Sequence, residues 1–247
     1  MQESRRVSES VTGVVVSYNS RELLERMLSS VHRFHPDMRI VVIDGSDQFN
    51  PCRKWLARPS SSSDRLGIVL CDSNIGHGRG MDLALKSYVK TPYALLMDSD
   101  IEMVDSPVAG MLEMMEQDTY GVGWIETTGL DGYEYGAHPH HKTQESMRYL
   151  HPYFALISVK RYGDFYPFVH HGAPCYLAML DIHKSGQSEK IIKGFPGLGH
   201  TGGVGWTWKA NPDLKYVRHD TRGTRDVRLA ARQGEIEPGW VWNRGLV

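Results

Sequence analysis

VTGVVVSYNSRELLERMLSSV, residues 11–31, is the stretch that decides the fold. Val11 to Val16 form a continuous apolar, largely β-branched run, the pattern of a strand covered on both faces as in a parallel sheet. The run stops at Ser17-Tyr18-Asn19-Ser20, where Ser20 can cap a helix. Leu23, Leu24, Met27, Leu28 and Val31 then recur at helical spacing. The stretch reads as a buried strand, a polar turn and an amphipathic helix.

The unit repeats. Arg39 to Ile43 reads as a second strand ending at Asp44-Gly45-Ser46-Asp47, with a short helix over Gln48 to Leu56 and a loop from Pro59 to Ser63. Leu66 to Leu70 reads as a third strand ending at Cys71-Asp72-Ser73-Asn74. A glycine loop over 76–80 and a helix carrying Met81, Leu83, Ala84, Leu85 and Tyr88 follow. Tyr93 to Met97 is the fourth strand, ending at Asp98-Ser99-Asp100. This alternation predicts an α/β fold with a Rossmann-like, mostly parallel sheet and helices on both faces. Ligands of such sheets bind beyond the carboxyl ends of the strands, where all four runs here turn polar.

Working outward, residues 1–10 read as a loose tail, 11–105 as the regular half and 106–247 as an irregular half of the same continuous domain. The second half is rich in aromatics, histidine and glycine. Within it, 106–117 reads as a helix and 174–193 as a strand followed by a helix or hairpin. The 247 residues include 40% hydrophobic and 23% charged side chains, enough for a sizeable core. Twenty-eight basic against 29 acidic residues give a net charge of -1, which provides no whole-molecule basic field for nucleic acid. The odd, scattered cysteines Cys52, Cys71 and Cys175 argue against a disulfide framework. A polar MQESRRVSES start, with no apolar run near the ~20 residues of a membrane span, predicts a cytoplasmic protein without a transmembrane segment.

Asp98-Ser99-Asp100 is the sharpest chemical signal. Two carboxylates separated by one residue, directly after an apolar strand, suit a hard divalent cation that also takes phosphate oxygens and water. Such a cation would neutralise charge on a leaving diphosphate.

VVVSYNS (14–20), VVIDGSD (41–47), SNIGHGRGMDLAL (73–85) and LLMDSD (95–100) together resemble the nucleotide-binding half of the family-2-like glycosyltransferases with the GT-A fold. Their order and spacing fit that pattern over Val11 to Asp100. The resemblance implies a metal-dependent transfer of a hexose-type sugar from a nucleoside-diphosphate sugar, a UDP-sugar by preference, to an acceptor hydroxyl. The cofactor would be Mn2+ or Mg2+, and the acceptor a glycan, a lipid-linked sugar, a protein or a modified nucleic acid base. On this reading 11–105 binds the nucleotide-sugar, and 106–247 binds the acceptor and completes the metal site.

The same resemblance implies residue roles. Tyr18, beside Asn19, would lie against the base, and Asp44 would hydrogen-bond its edge. Asn74, Gly76 and Arg79 would approach the phosphates where backbone meets a helix N-terminus. Asp82 stands where the family often has asparagine. The segment from Tyr216 to Thr224 resembles the C-terminal histidine motif of the superfamily, so His219 would join Asp98 and Asp100 on the metal, with His200 as its rival. A neutral imidazole suits manganese. Arg222, with Arg218 and Arg225, would offer bidentate donors to the diphosphate. His138, His140 and His141 fit a mobile acceptor-side loop better than a zinc site.

The catalytic base is not specified by the pattern. Inverting members carry a Glu-Asp pair after a Gly-Phe-Asp-like stretch, whereas Gly194-Phe195-Pro196-Gly197-Leu198-Gly199-His200 has no acid. Asp164, His170, His171 and Asp181 are the candidates, and both retaining and inverting outcomes are compatible with the sequence. Two other classes compete. A nucleotidyltransferase would place a glycine- and lysine-rich loop where SYNS stands. A non-catalytic nucleotide- or glycan-binding module fits the missing acidic pair but not the paired aspartates.

Overall fold

The structure is a computed structural model that describes residues 2–58, 64–130, 145–169, 173–199 and 215–219. Its element order opens with α1 (Gln2–Ser10), β1 (Val11–Ser17), α2 (Arg21–Phe34), β2 (Arg39–Asp44), α3 (Pro51–Leu56), β3 (Leu66–Leu70), α4 (His77–Leu83) and β4 (Tyr93–Asp98). It continues with β5 (Ile101–Met103), α5 (Val108–Glu113), β6 (Gly121–Gly129), β7 (Ser146–Ser158), α6 (Val159–Tyr162) and α7 (Tyr176–Lys184). Last come α8 (Ser188–Ile191), β8 (Ile192–Gly194) and β9 (Val217–His219).

Seven strands form one sheet in the order β3-β2-β1-β4-β7-β6-β8. The strands β3, β2, β1 and β4 are parallel, and only β7 runs against its neighbours on both sides. Chain order reverses direction at the β1–β4 pair, which makes the crevice above Ser17 and Asp98 the topological switch point. The apolar runs read from the sequence fill two buried layers. Val15, Leu24, Met27, Val31, Leu95 and Met97 pack on one face. Val14, Ile43, Met81, Leu85, Leu96 and Ile157 pack on the other.

Four local expectations differ from the structure. Residues 2–10 are helical rather than a loose tail, and Val7 is 2% exposed because α1 docks its apolar side onto the first core layer. The glycine loop is shorter than expected: α4 begins at His77, and Gly78 and Gly80 lie inside it. Gly80 is there because a Cβ would stand 2.8 Å from a methyl group of Val16, so only glycine lets α4 close on β1. Gly76, at φ 85, makes the turn that starts the helix. The helix then continues as a π-helical turn over Ala84–Tyr88. The expected helix over 106–117 is confined to Val108–Glu113. Residues 174–193 begin with a helix rather than a strand, because Ala178, Met179 and Ile182 bury one face at helical spacing. Strands β6 and β7, which the sequence left irregular, form the longest pairing in the sheet.

Candidate active site

Strand β4 delivers Asp98 to the switch point, and the tight turn Asp98-Ser99-Asp100 feeds straight into β5. Strand β5 pairs antiparallel with β9, and Ile101 stands opposite His219. That register sets the imidazole beside the two carboxylates across more than a hundred residues of chain. His219 Nε2 lies 3.1 Å from Asp100 Oδ1 and 3.3 Å from Asp98 Oδ2. Ligand atoms of Asp98, Asp100 and His219 all lie within 4.8 Å of one another. His219 is 7% exposed and Asp100 9%.

Electrostatics bind this trio tightly. Burial opposes charge on His219, but Asp100 and Asp98 outweigh it and push the imidazole up to about 10. Burial likewise opposes ionisation of Asp98, yet His77 and His219 hold its carboxyl well below the usual range. His77, the first residue of α4, stands 3.2 Å from Asp98 Oδ1 on the side away from His219. This contact is close enough for an ion pair. Two carboxylates and one imidazole whose ligand atoms converge in this way fit a hard to borderline divalent cation such as Mn2+ or Mg2+.

Two residues that the sequence did not single out support the trio. Tyr153 of β7 stacks its ring on His219 at 5.1 Å and 15°. Its hydroxyl donates to the Gly199 carbonyl and accepts from the Gly199 amide. Burial pushes that phenol up, and the charge of Asp98 adds to the effect. Cys175, capping α7, is also close enough for Asp98 to add to the upward push of burial on its thiol.

At the ends of β1 and β2 a second group assembles. Asn19 adopts φ 55, the left-handed region that asparagine tolerates. Its Nδ2 donates to Asp47 Oδ2 at 2.7 Å, and the Asp47 amide donates back to Asn19 Oδ1. Tyr18 donates its hydroxyl to Asp47 Oδ1 at 3.2 Å. Asp47 is thus the tie between the two strand ends, readable only as part of the DGSD turn. Asp44 is fully buried and accepts from Ser46 Oγ at 2.6 Å, while its Oδ2 lacks a partner among the described residues. Burial pushes its carboxyl up against the opposing hydrogen bonds from Ser46 and Ser17. A buried acceptor left open in this way is costly unless a ligand donor reaches it.

Asn74 and Gly76 lie on the third side. The Asn74 side chain accepts from the Gly76 amide at 2.9 Å, and the Asn74 backbone presses within 2.9 Å of where a Cβ on Gly45 would stand. Arg79 is exposed on α4. Asp82 accepts from the Tyr162 hydroxyl at 2.6 Å and pairs with Lys86. Of the candidate bases, Asp164 pairs with Arg161 just past Ser158. Ser158 stands opposite Tyr93, at the end of β4 remote from Asp98. Asp181 lies on α7, outside the acidic cluster. Neither is brought to the cluster. His170, His171, His200, Arg222, Arg225 and the histidines of 138–141 lie outside the described residues.

Two aspartates and a histidine thus meet at the switch point of a mostly parallel sheet of GT-A type, with a polar cradle at the neighbouring strand ends. Residues 12–180 match the model of glycosyl transferase family 2, and the chain belongs to that family. Among solved structures it is similar to the mannosyltransferase PcManGT from Pyrobaculum calidifontis in complex with GDP-Man and Mn2+, at 18% identity and a TM-score of 0.52, covering 90% of this chain and 61% of that one. It is similar to residues 1–349 of S. aureus TarS at 13% identity and a TM-score of 0.53, covering 88% and 63%. It also resembles GalNAc-T7 with UDP, GalNAc and Mn2+, at 12% identity and a TM-score of 0.50, covering 64% and 36%. The chain therefore spans between 36% and 63% of the length of these three. Comparison with curated proteins finds no match. No helix among the described residues is long and apolar enough to cross a membrane.

Proposed function

We propose that the chain transfers a sugar from a nucleoside-diphosphate sugar to an acceptor hydroxyl, using a divalent cation held by Asp98, Asp100 and His219. The observation that carries this reading is the convergence of those three groups at the switch point of a family-2 fold. A bound Mn2+ or Mg2+ supplies positive charge against the diphosphate that leaves. The residues around it do the rest. Tyr18 and Asn19, tied by Asp47, offer a flat face and polar edge to the base. Asp44 Oδ2 accepts an N–H from that base, which suits the imide edge of uracil, so a UDP-sugar is the expected donor. Asn74, Gly76 and Arg79 border the diphosphate, and Arg222 is assigned to the same group. In the transfer, the acceptor oxygen bonds to the anomeric carbon as the bond from that carbon to the phosphate oxygen breaks, and the acceptor proton passes to a base.

The test is calorimetric titration of UDP and GDP with and without Mn2+, followed by incubation with UDP-GlcNAc, UDP-glucose and GDP-mannose and measurement of free diphosphate. The expected result is binding that requires Mn2+, favours UDP, and is accompanied by diphosphate release that EDTA stops. Absence of metal-dependent binding for every nucleotide refutes the proposal. A clear preference for GDP refutes the uridine assignment alone.

A further inference from the structure

We propose that Ser20 is a positioning residue for the cation site, its hydroxyl holding the Asp98-Ser99-Asp100 turn and so setting the spacing of the two carboxylates; this rests on the cation-binding reading above. The first observation is a bond that Ser20 does not make. Ser20 occupies the N-cap position of α2, where a serine oxygen ordinarily accepts from an amide of the first turn. Here its backbone lies at φ -123 and ψ 42, outside the extended geometry of a cap, and its side chain makes no capping hydrogen bond. Its carbonyl still accepts from the Leu24 amide at 2.9 Å, so the helix starts without help from the hydroxyl.

That hydroxyl is engaged with the metal turn instead. Ser20 is fully buried, and its Oγ donates to Ser99 Oγ at 3.4 Å, with Ser17 Oγ of β1 3.2 Å away. Ser17 and Ser99 are buried as well. Hydroxyls taken out of water are costly unless they bond, so three that meet between neighbouring strand ends hold one another in place. Ser99 is the residue between the two aspartates, and its side chain is therefore a handle on both of them.

Helix α2 fastens the same segment again farther along. Ser30 Oγ accepts from the Met103 amide at 3.0 Å, and Arg33 donates to the Met103 carbonyl at 3.0 Å. Residues 99–103, which include Asp100 and the strand that pairs with β9, are thus tied to this helix and its cap at both ends. The turn needs such a restraint. Ligand oxygens of Asp98 and Asp100 lie within 4.8 Å of each other, and like charges at that range repel. His219 offsets part of that charge, and the Ser20 hydroxyl opposes the remaining tendency of the turn to widen. Without it the two carboxylates would hold the geometry of a shared cation less firmly.

The test measures Mn2+ binding by electron paramagnetic resonance in wild type, Ser20→Ala, Ser99→Ala and the double variant, with melting temperatures alongside. Each single variant should weaken Mn2+ binding about threefold to tenfold, at or below the effect of removing a direct partner of a metal ligand. The double variant should bind no more weakly than the weaker single variant, because Ser20 acts through Ser99. The signal of Mn2+ bound to Ser20→Ala should also broaden as the ligand geometry loosens, while the melting temperature stays close to that of wild type because the hydroxyl caps no helix. The inference is overturned if Ser20→Ala binds Mn2+ as wild type does, or if the losses of the two single variants add in the double. Should Ser20→Ala fail to fold, Ser99→Ala decides alone, and unchanged Mn2+ affinity in that variant overturns the inference. Failure of Mn2+ to bind wild type would strike the parent reading and this inference with it, whereas the other overturning outcomes leave the parent reading standing.

Discussion

Replacing Glu126 by glutamine should make the protein more resistant to unfolding, and increasingly so as the pH rises. Glu126 is half-buried with one shielded, unbonded carboxylate oxygen, and burial pushes its carboxyl from 4.5 up to about 7. The folded state thus favours the protonated form. Its contribution to stability is fully present below pH 4.5 and is lost as pH climbs through about 7. Each pH unit of such a shift corresponds to about 1.4 kcal/mol, which gives roughly 3 kcal/mol in the limit of full burial. The side chain retains contact with water, and solvent screening reduces the expected effect to about 1–2 kcal/mol. Glutamine keeps the shape and carries no charge, so it escapes the penalty. Urea unfolding of both proteins at pH 5 and pH 8 should give a stability difference that grows by that amount at the higher pH. For a chain of this length it corresponds to roughly 3–6 °C in melting temperature. Every other titrating group is common to the two proteins and cancels in the comparison. An unchanged difference between pH 5 and pH 8 would refute the reasoning, because it would mean that Glu126 ionises in the folded state as freely as in the unfolded chain.

Three further outcomes follow from the geometry. Asp100→Ala removes one carboxylate of the cluster and should lower metal-dependent UDP affinity at least a hundredfold in calorimetry while the fold, read by circular dichroism, stays intact; unchanged affinity would overturn the metal assignment. His77→Ala removes the group that flanks Asp98 Oδ1, and orienting partners of this kind are worth about tenfold in metal affinity, so Mn2+ binding followed by electron paramagnetic resonance should weaken by that order and His77→Gln should recover part of it. Gly80→Ala drives a methyl group to 2.8 Å from Val16, and overpacking of that kind should cost about 1–3 kcal/mol in urea unfolding, whereas a neutral result would mean that α4 moves freely off β1.

The regular half was legible because its signals are local. The apolar runs at 11–16, 40–43, 66–70 and 93–97 suit the strands of a mostly parallel sheet, buried in β1, β2 and β4 and half-buried in the edge strand β3. The helical spacing from Leu23 to Val31 marked the crossover, and the polar run ends fall at the switch point of the sheet. Asp98 and Asp100 are two residues apart, so their pairing needed no tertiary information. The tail, α4 and α7 were misread for reasons equally physical. Val7 gains a helix only by docking on a core formed elsewhere, Gly80 is admitted to a helix because Val16 leaves no room for a Cβ, and the apolar side of α7 is set by its contact with β7.

What only the tertiary structure decided lies in contacts made by residues distant in sequence. His219 is near Asp100 through the pairing of two three-residue strands, a register that no local pattern encodes, although a motif resemblance pointed to it. Tyr153 and Trp124 come together because one strand bulges against another, and a period-two pattern interrupted by that bulge does not read as a strand at all. Asp47 and His77 stood in plain view within their motifs, but a side chain's partner depends on where the neighbouring strand end arrives. The sequence alone determined the scaffold and the two carboxylates, since hydrophobic periodicity is local. The tertiary structure decided what surrounds them, since that depends on the register between strands.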